Sequence, residues 1–407
     1  MDELSLYEKI LSISSPWFVE SVQLDERDNT VHVHVEYDCD KHLTCPLCES
    51  RCSRHDTRTR TWRHLDSCQF RTLVHANIPR SKCRTHGVLQ ADIPWADKRS
   101  SFTLMFEAYV ISWLQEASIN AVSKKLALSW NAADGIMKRA VERGLKRRSH
   151  LHIQNLAVDE VCSKKGHEYV TIVSNDHGHV IDVQEDRKKS SLNAFFTGLS
   201  DKQIQSVETI SMDMSPSYIY ATKEYIPHWE RAICFDRFHV AMDLNKALNS
   251  VRKSEANMVA QQHKLELHRS KFAWLRSREN LKDIHSVQIS TLSVVAKKTA
   301  RAWAIKKYAM ELWNYDDRIW AEEAWKQWYS WAIRSRLNPI KSVAKSIKKN
   351  LWGIINAIVN KKNNAGAESI NSRIKMLKVK AKGFRNKARF KAAILFHLGG
   401  LDLMPEI

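Results

Sequence analysis

A multidomain α+β protein is what the sequence predicts, and three observations carry that expectation. Hydrophobic periodicity changes along the chain, from strand-like alternation to helical spacing, then to a mixed pattern, then to long helices. Two cysteine-bearing pairs bracket a β-rich segment between residues 45 and 86. Three acids far apart in sequence, Asp159, Asp213 and Glu368, each stand at the edge of a regular element. A chain of 407 residues has room for two to four domains and a substantial core. Its 43% hydrophobic content, with only 11 glycines and 8 prolines, argues against large-scale disorder. A net charge of +19 makes a polyanion the leading partner, nucleic acid before an anionic membrane. The start MDELSLYEKILSIS is acidic and lacks a signal-peptide layout, and no run approaches about 18 apolar residues. The expectation is a cytoplasmic protein with no membrane partner, nucleoid-associated when bound to DNA. In that compartment eight cysteines read as metal ligands and core residues rather than disulfides.

Residues 1–38 read as a helix and a β-hairpin, since VHVHVEY at 31–37 alternates after the turn-like DERDNT. Residues 39–98 form the cysteine module. Cys45-Pro-Leu-Cys48 is a tight knuckle and Cys83-Arg-Thr-His86 supplies a second pair, which together give four ligands for one structural Zn²⁺. The 34 residues between the pairs suit a β-rich ribbon, and Gly87 suits a tight turn. Cys39, Cys52, Cys68, His55 and His75 compete for the fourth position. Between the pairs, RCSRHDTRTRTWRHL offers Arg58, Arg60 and Arg63, with Trp62, toward DNA phosphates.

Residues 99–150 switch to helical periodicity. SINAVSKKLALSWNAADGIMKRAVERGLKRR reads as a helix-turn-helix, with Ala121, Val122, Leu126, Ile136 and Val141 at core spacings. Ser129 caps the second helix, whose first turn presents Trp130, Asn131 and Asp134 to a major groove. Lys138, Arg139, Arg143, Lys146, Arg147 and Arg148 are placed to grip the DNA backbone.

Residues 151–240 mix periods. LAVDEV, HEYVTIVS, GHVIDVQ, ETISMDM and RAICFD read as strands, with SLNAFFTGLS and SPSYIYATKEYI as helices between them. The order β-β-β-α-β-α-β is that of an RNase H-like domain, whose first and fourth strands carry Asp159 and Asp213. Residues 241–362 contain no convincing strand and read as an all-helical insertion. Residues 363–407 complete the core with a helix opened by Glu368. Two strand-borne aspartates and a helix-borne glutamate suit a pair of divalent metals, because hard cations prefer oxygen ligands.

The motifs in order resemble the ISL-three family of bacterial insertion-sequence transposases, of the DDE group. The matching stretches are CPLC with RTRTWRHL, LAVDEVCSKKGHEYVTIV, SMDMSPSYIYA, CFDRFHVAMDLNKALNSVRKSE and AGAESINSRIKMLKVKAKGFRN, together spanning about residues 40–395. The resemblance implies an RNase H-like catalytic domain interrupted by a helical insertion. It also implies a zinc finger and helix-turn-helix that bind the element's terminal inverted repeats. The family's triad falls on Asp159, Asp213 and Glu368, and its Asp-x-x-His motif on Asp236 and His239. Two Mg²⁺ (or Mn²⁺) ions per active site would serve cleavage at the element ends and joining of the 3′-hydroxyls to target DNA. A homodimer or larger assembly on double-stranded DNA is implied as well. One departure is visible: the second zinc pair usually ends in cysteine, whereas here it ends in His86. The alternative is a sequence-specific DNA-binding regulator with a non-catalytic RNase H-like domain. It predicts damaged carboxylates, yet all three are present. A structure-selective nuclease on the same fold would not need the two N-terminal modules.

Glu160, Asp182 and Asp186 lie close enough in sequence to compete with the triad. Asn371 and Lys375 follow Glu368 by three and seven residues on one helical face. Residues 373–391 hold nine Lys or Arg and no acid, which favours DNA tracking by Arg373, Lys375, Lys378, Lys380, Lys382 and Arg385. Trp303, Trp313, Trp320, Trp325, Trp328 and Trp331 read as packing between long helices, with stacking on DNA as the rival.

Overall fold

The computed structural model describes residues 2–148, 151–164, 168–276, 280–362 and 365–407. Residues 165–167, within the matched stretch LAVDEVCSKKGHEYVTIV, lie outside the described residues. The chain divides into two compact units, Met1–Ser149 with Leu401–Ile407, and His150–Gly400. Among the described residues, no helix is long and apolar enough to cross a membrane.

In the first unit, helix α1 (Glu3–Ile10) starts at Asp2, whose carboxylate accepts from the Ser5 N–H at 2.8 Å. Strands β1 (Trp17–Asp25) and β2 (Thr30–Tyr37) form the expected hairpin, and Val31, Val33, Val35 and Tyr37 all face inward. Strands β3 (Leu43–Thr44), β4 (Arg51–Arg63), β5 (Arg71–Cys83) and β6 (Gly87–Gln90) make the ribbon. The hairpin and ribbon share one sheet in the order β1-β2-β5-β4-β3, with β6 on β5 and β2 parallel to β5. Their common core has Trp95 edge-on to both Trp17 at 5.1 Å and Trp62 at 5.6 Å. Trp62 is therefore a core residue and not a DNA-facing one.

Helices α2 (Leu104–Glu116), α3 (Ile119–Lys125) and α4 (Trp130–Arg147) follow, capped by Thr103, Ser118 and Ser129, each accepting from the N–H three residues on. Val122, Ile136 and Val141 are buried as expected, and Leu126 is half-buried. Ala121 faces solvent instead, because the short α3 buries only the Val122 side.

The second unit is built on a five-stranded sheet of β7 (Asn155–Lys164), β8 (Glu168–Asn175), β9 (Val180–Glu185), β10 (Thr209–Met212) and β11 (Ile233–Phe235). The order is β11-β10-β7-β8-β9: the hairpins β7-β8 and β8-β9 are antiparallel, while β10 and β11 run parallel to β7. Helices α5 (Lys189–Thr197), α6 (Asp201–Gln205), α7 (Pro216–Tyr225) and α8 (Trp229–Ala232) make the crossovers that parallel pairing needs.

After β11 the chain is helical: α9 (Arg237–Ala256), α10 (Gln261–Arg269), α11 (Lys271–Leu275), α12 (Asp283–Val295), α13 (Lys297–Glu311), α14 (Arg318–Arg334), α15 (Asn338–Lys349), α16 (Leu351–Val359), α17 (Ala365–Lys380) and α18 (Lys387–Leu398). Sheet and helices share one core, from Leu156 and Ile210 through Leu244 to Trp325, Trp328 and Ile354. Helix α16 closes the β11 edge. A Cβ on Gly353 would sit 2.5 Å from the Phe235 ring, and buried Asn356 donates to the carbonyls of Glu230 and Ile233 at 2.7 and 2.9 Å. Among the six tryptophans singled out above, Trp325 and Trp328 are fully buried and Trp303 and Trp313 pack against the core, whereas Trp320 and Trp331 are exposed.

Candidate metal and nucleic-acid sites

Sheet register brings the acids together. Strand β10 pairs with β7 at Ser211↔Ala157, and with β11 at Met212↔Phe235. Continuing both registers by one or two residues sets Asp213 between Asp159, in the middle of β7, and Asp236, with Asp213 and Asp236 just past the C-terminal ends of β10 and β11, on neighbouring parallel strands about 4.8 Å apart. Helix α17 brings the fourth acid: Asn371, one turn after Glu368, donates from Nδ2 to Asp159 Oδ2 at 2.6 Å. Asp236 caps α9, accepting from Phe238 N at 3.0 Å, and its other oxygen holds His239 Nδ1 at 2.9 Å.

These groups respond to one another. Burial raises the Asp159 carboxyl above the usual range; the backbone N–H of Glu160, His239 and Asn371 oppose that, and the charge of Asp236 adds to it. Asp213 is raised chiefly by burial, against the Ser215 N–H and His239. Glu368 is raised by burial and by the charges of Asp236 and Asp159. His239 is raised by its bond to Asp236 and by the field of the same acids. Asn371 Oδ1 is buried beside Asp159 without a partner among the described residues, which leaves a hard oxygen donor pointing nowhere. Repelling carboxylates with an unused oxygen fit a divalent cation.

An adjoining cleft of about 490 Å³ is lined by Glu160, Arg187, Asp213, His239 and Met242, with Asp159 and Glu368 outside its lining. Arg187 was not legible as a site residue: it lies in the bend after β9, where no periodicity marks it. It pairs with Glu160 at 3.6 Å and covers the Tyr169 ring at 4.5 Å. Glu160 is itself raised by burial and then by Asp213, which makes it a neighbour of the acid cluster. Asp182 instead pairs with Lys391, and Asp186 with Lys387.

The first unit holds a second metal-type cluster. The ligand atoms of Cys45, Cys48, Cys83 and His86 lie within 4.8 Å of one another, the only such set among the described residues. Cys48 Sγ is 3.8 Å from Cys83 Sγ, and His86 Nδ1 is 3.6 Å from Cys45 Sγ and 3.7 Å from Cys83 Sγ. A tetrahedral site with Zn–S near 2.3 Å and Zn–N near 2.0 Å has edges of about 3.8 and about 3.6 Å. The four side chains fit zinc. Backbone N–H groups of His86 and Thr85 bring the Cys83 thiol down to about 5, toward the thiolate that zinc takes. Of the rivals, Cys52 adjoins Cys48 and Cys83 but lies outside the set of four and donates to Ser50 O at 3.4 Å, and His75 stacks between His32 and His34. Gly87 turns the chain after His86 with φ +74°.

Comparison with known proteins decides the family. A profile described as Transposase matches residues 156–394, more than half of the chain. The chain belongs to the ISL3 family of transposases. Further profiles match residues 91–141, as the helix-turn-helix domain of transposase family ISL3, and residues 42–86, as the zinc-finger of transposase IS204/IS1001/IS1096/IS1165. The transposase for insertion sequence element IS1001 of Bordetella parapertussis is 26% identical, covering 86% of this chain and 87% of that protein. The transposase for insertion sequence element IS1557 of Mycobacterium tuberculosis is 24% identical, covering 98% of this chain and 96% of that protein.

Within this family member the basic residues divide by what they touch. Arg58 is exposed, but Arg60 donates to the carbonyls of Lys98 and Ser100, and Arg63 pairs with Asp66. Trp130 and Asn131 stand exposed at the start of α4. Asp134 is buried and pairs with Lys138 at 2.9 Å, so it does not face a groove. Arg139 pairs with fully buried Glu107, Arg143 bonds Glu107, Asp97 and the Leu403 carbonyl, and Arg147 bonds Asp402 and Glu406. Lys146 is exposed and Arg148 half-buried. In the second unit Lys378 donates to Cys162 O at 2.6 Å, and Arg373, Lys375, Lys380, Lys382 and Arg385 are exposed.

Proposed function

We propose that this transposase binds the terminal inverted repeats of an insertion sequence, cleaves the DNA at the element ends and joins the 3′-hydroxyls to target DNA. The convergence of Asp159, Asp213 and Glu368 with Asp236 and His239 carries the reading. The sheet order, with two antiparallel hairpins followed by two parallel strands, supports an RNase H-like domain, and α9–α16 serve as its helical insertion. A pair of Mg²⁺ or Mn²⁺ ions, when bound by the three carboxylates, supplies activation of the attacking oxygen and stabilisation of the leaving one. The protein's own part is positioning. Asp159 is held by Asn371, and Asp213 by the Ser215 N–H at 3.0 Å. With Nδ1 committed to Asp236, His239 presents Nε2, where it can hold a proton near the scissile phosphate.

Recognition falls to the first unit. Trp130 and Asn131 enter the major groove, and Arg58, Lys138, Lys146 and Arg148 meet phosphates. The zinc-stapled ribbon holds that surface in shape, and the enzyme acts as a dimer or larger assembly on paired ends.

The test is cleavage and joining of a labelled duplex carrying the element's own end, with wild type and Asp213→Ala, and with Mg²⁺ present or chelated. Metal-dependent nicking at the repeat boundary, lost in Asp213→Ala while binding persists, is the expected result. Repeat-specific binding without cleavage in Mg²⁺ or Mn²⁺ would replace this reading with that of a regulator.

A further inference from the structure

We propose that helix α12 is a surface through which two copies of this chain pair, antiparallel and about a twofold axis. The choice of partner rests on the function proposed above, in which two element ends are brought together. Helix α12 is apolar on both sides. Ile289 and Leu292 are buried in the common core, while Ile284, Val287 and Val294 stand 73%, 66% and 71% exposed. Thr291 completes the outer stripe; it is exposed, and its hydroxyl turns back to donate to the Val287 carbonyl at 3.1 Å. The one side-chain polar group of the stripe is thus already bonded within the helix. A helix apolar all round belongs in a core, so an outer face of this kind calls for a cover.

Spacing, charge and size select a second copy. Residues 284, 287, 291 and 294 are three, four and three apart, the a and d spacing of a coiled-coil seam. That order reads the same from either end. An antiparallel copy therefore sets Ile284 against Val294 and Val287 against Thr291, each twice, which is the self-complementarity that an isologous contact needs. Charge agrees. Asp283 is the only Asp, Glu, Lys or Arg in the helix, in a chain that is 27% charged with a surplus of 19 cations. DNA finds no ammonium or guanidinium on α12 to hold it, and two copies meet here without the repulsion that surplus cations impose elsewhere. Size sets the strength. The 13 residues of α12 make a seam about 19 Å long and about 10 Å wide, a strip on the order of 200 Å². A stable complex covers about 800 Å² on each partner, so this strip holds no permanent subunit. It suits copies that DNA already keeps close, at the roughly millimolar effective concentration of linked modules.

The test is sedimentation velocity of the full chain saturated with a duplex carrying one element end, over about 1 to about 100 µM protein. Wild type is expected to pass from one copy to two across that range. Val287→Glu and Thr291→Lys, each alone, should move the midpoint up by about tenfold or more, because each puts a charge into an apolar seam. An equal mixture of the two variants should regain most of the wild-type assembly, since the new carboxylate then faces the new ammonium across the axis. Both substitutions raise helix propensity, so α12 persists in them. Equal Tm and equal duplex affinity at low concentration are the folding controls. Wild type that stays single at the highest concentration, or either variant assembling as wild type does, overturns the surface and leaves the functional reading standing. A mixture no better than its parts overturns the antiparallel pairing. Assembly that follows all of these expectations, in a protein that cuts no element end, upholds the surface and overturns the functional reading.

Discussion

Carboxyls raised by burial and mutual charge cost the metal-free fold stability when they ionise. Asp213 ionises less readily when folded than unfolded, so across its titration window the native state holds more protons. Stability from this group is therefore full below the unfolded carboxylate range and falls as pH rises through the raised folded value. At neutral pH the metal-free protein carries that cost, and Asp213→Asn relieves it. Calorimetry without divalent metal is expected to show a higher Tm for Asp213→Asn than for wild type, while cleavage is abolished; an unchanged or lower Tm would contradict the account. His64 gives the opposite slope. Fully buried and bonded through Nδ1 to Thr103 Oγ1 at 2.9 Å, it is brought down to about 4 by burial. Below about 6.5 the unfolded chain takes up a proton that the folded chain refuses, so this stability is complete above that pH and lost on the way to about 4. At about 1.4 kcal/mol per unit the difference is worth ~3 kcal/mol. His64→Asn should flatten the fall of Tm between those pH values, as measured by calorimetry at a series of pH values.

At the level of elements, the strands were legible and several faces were not. VHVHVEY and LAVDEV read correctly because alternation or a continuous apolar run is what one covered or two covered sheet faces demand. Ser129 as a cap was legible for the same local reason. Arg139 and Arg147 were not, since their partners come from α2 and from residues 402–406, while Asp134 pairs within α4 but is buried by tertiary packing. No periodicity within α4 encodes a carboxylate on another element. Which acids converge was legible in residue type and order, whereas the place of Arg187 beside them depends on tertiary packing. Arg139 and Lys138 make the difference testable. Arg139→Ala strands Glu107 at 0% exposure, with Arg143 its one remaining cation, and is expected to cost about 3–5 kcal/mol in denaturant unfolding. Lys138→Ala removes a half-exposed lysine from buried Asp134 and is expected to cost less than Arg139→Ala, about 1–2 kcal/mol. Equal losses would remove Arg139 from its structural role and return it to the DNA surface. In the ribbon, chelation or Cys83→Ser should release one zinc per chain, read by elemental analysis, and loosen β5 and β6 in amide exchange while β7–β11 stay protected.

Across the whole molecule a surplus of 19 positive charges must be held together without its polyanion, and the chain does so unevenly. Nine Lys or Arg between 373 and 391 look unopposed in sequence. The fold opposes some of them: Lys387 meets Glu185 and Asp186, and Lys391 meets Asp182. The acids lie on and just after β9, some 200 residues earlier, which is why a local charge count overstates the free patch. Arg373, Lys375, Lys380, Lys382 and Arg385 remain exposed, so under the proposed function these are the cations that would meet phosphate and release condensed counterions. The expected signature is in salt dependence rather than in affinity at one condition. A plot of log K for the element-end duplex against log salt should fall steeply for wild type. Lys382→Ala and Arg385→Ala should each reduce its slope by about 1. Lys387→Ala and Lys391→Ala should leave the slope nearly unchanged, because their charges are already answered by β9. Removal of a phosphate contact lowers affinity for all sequences alike, so the ratio of specific to random duplex binding should stay constant in the first pair of variants. A slope that drops equally in all four would mean that the β9 acids release their lysines to DNA, and that the basic helix is read by the polyanion as the unbroken run the sequence shows.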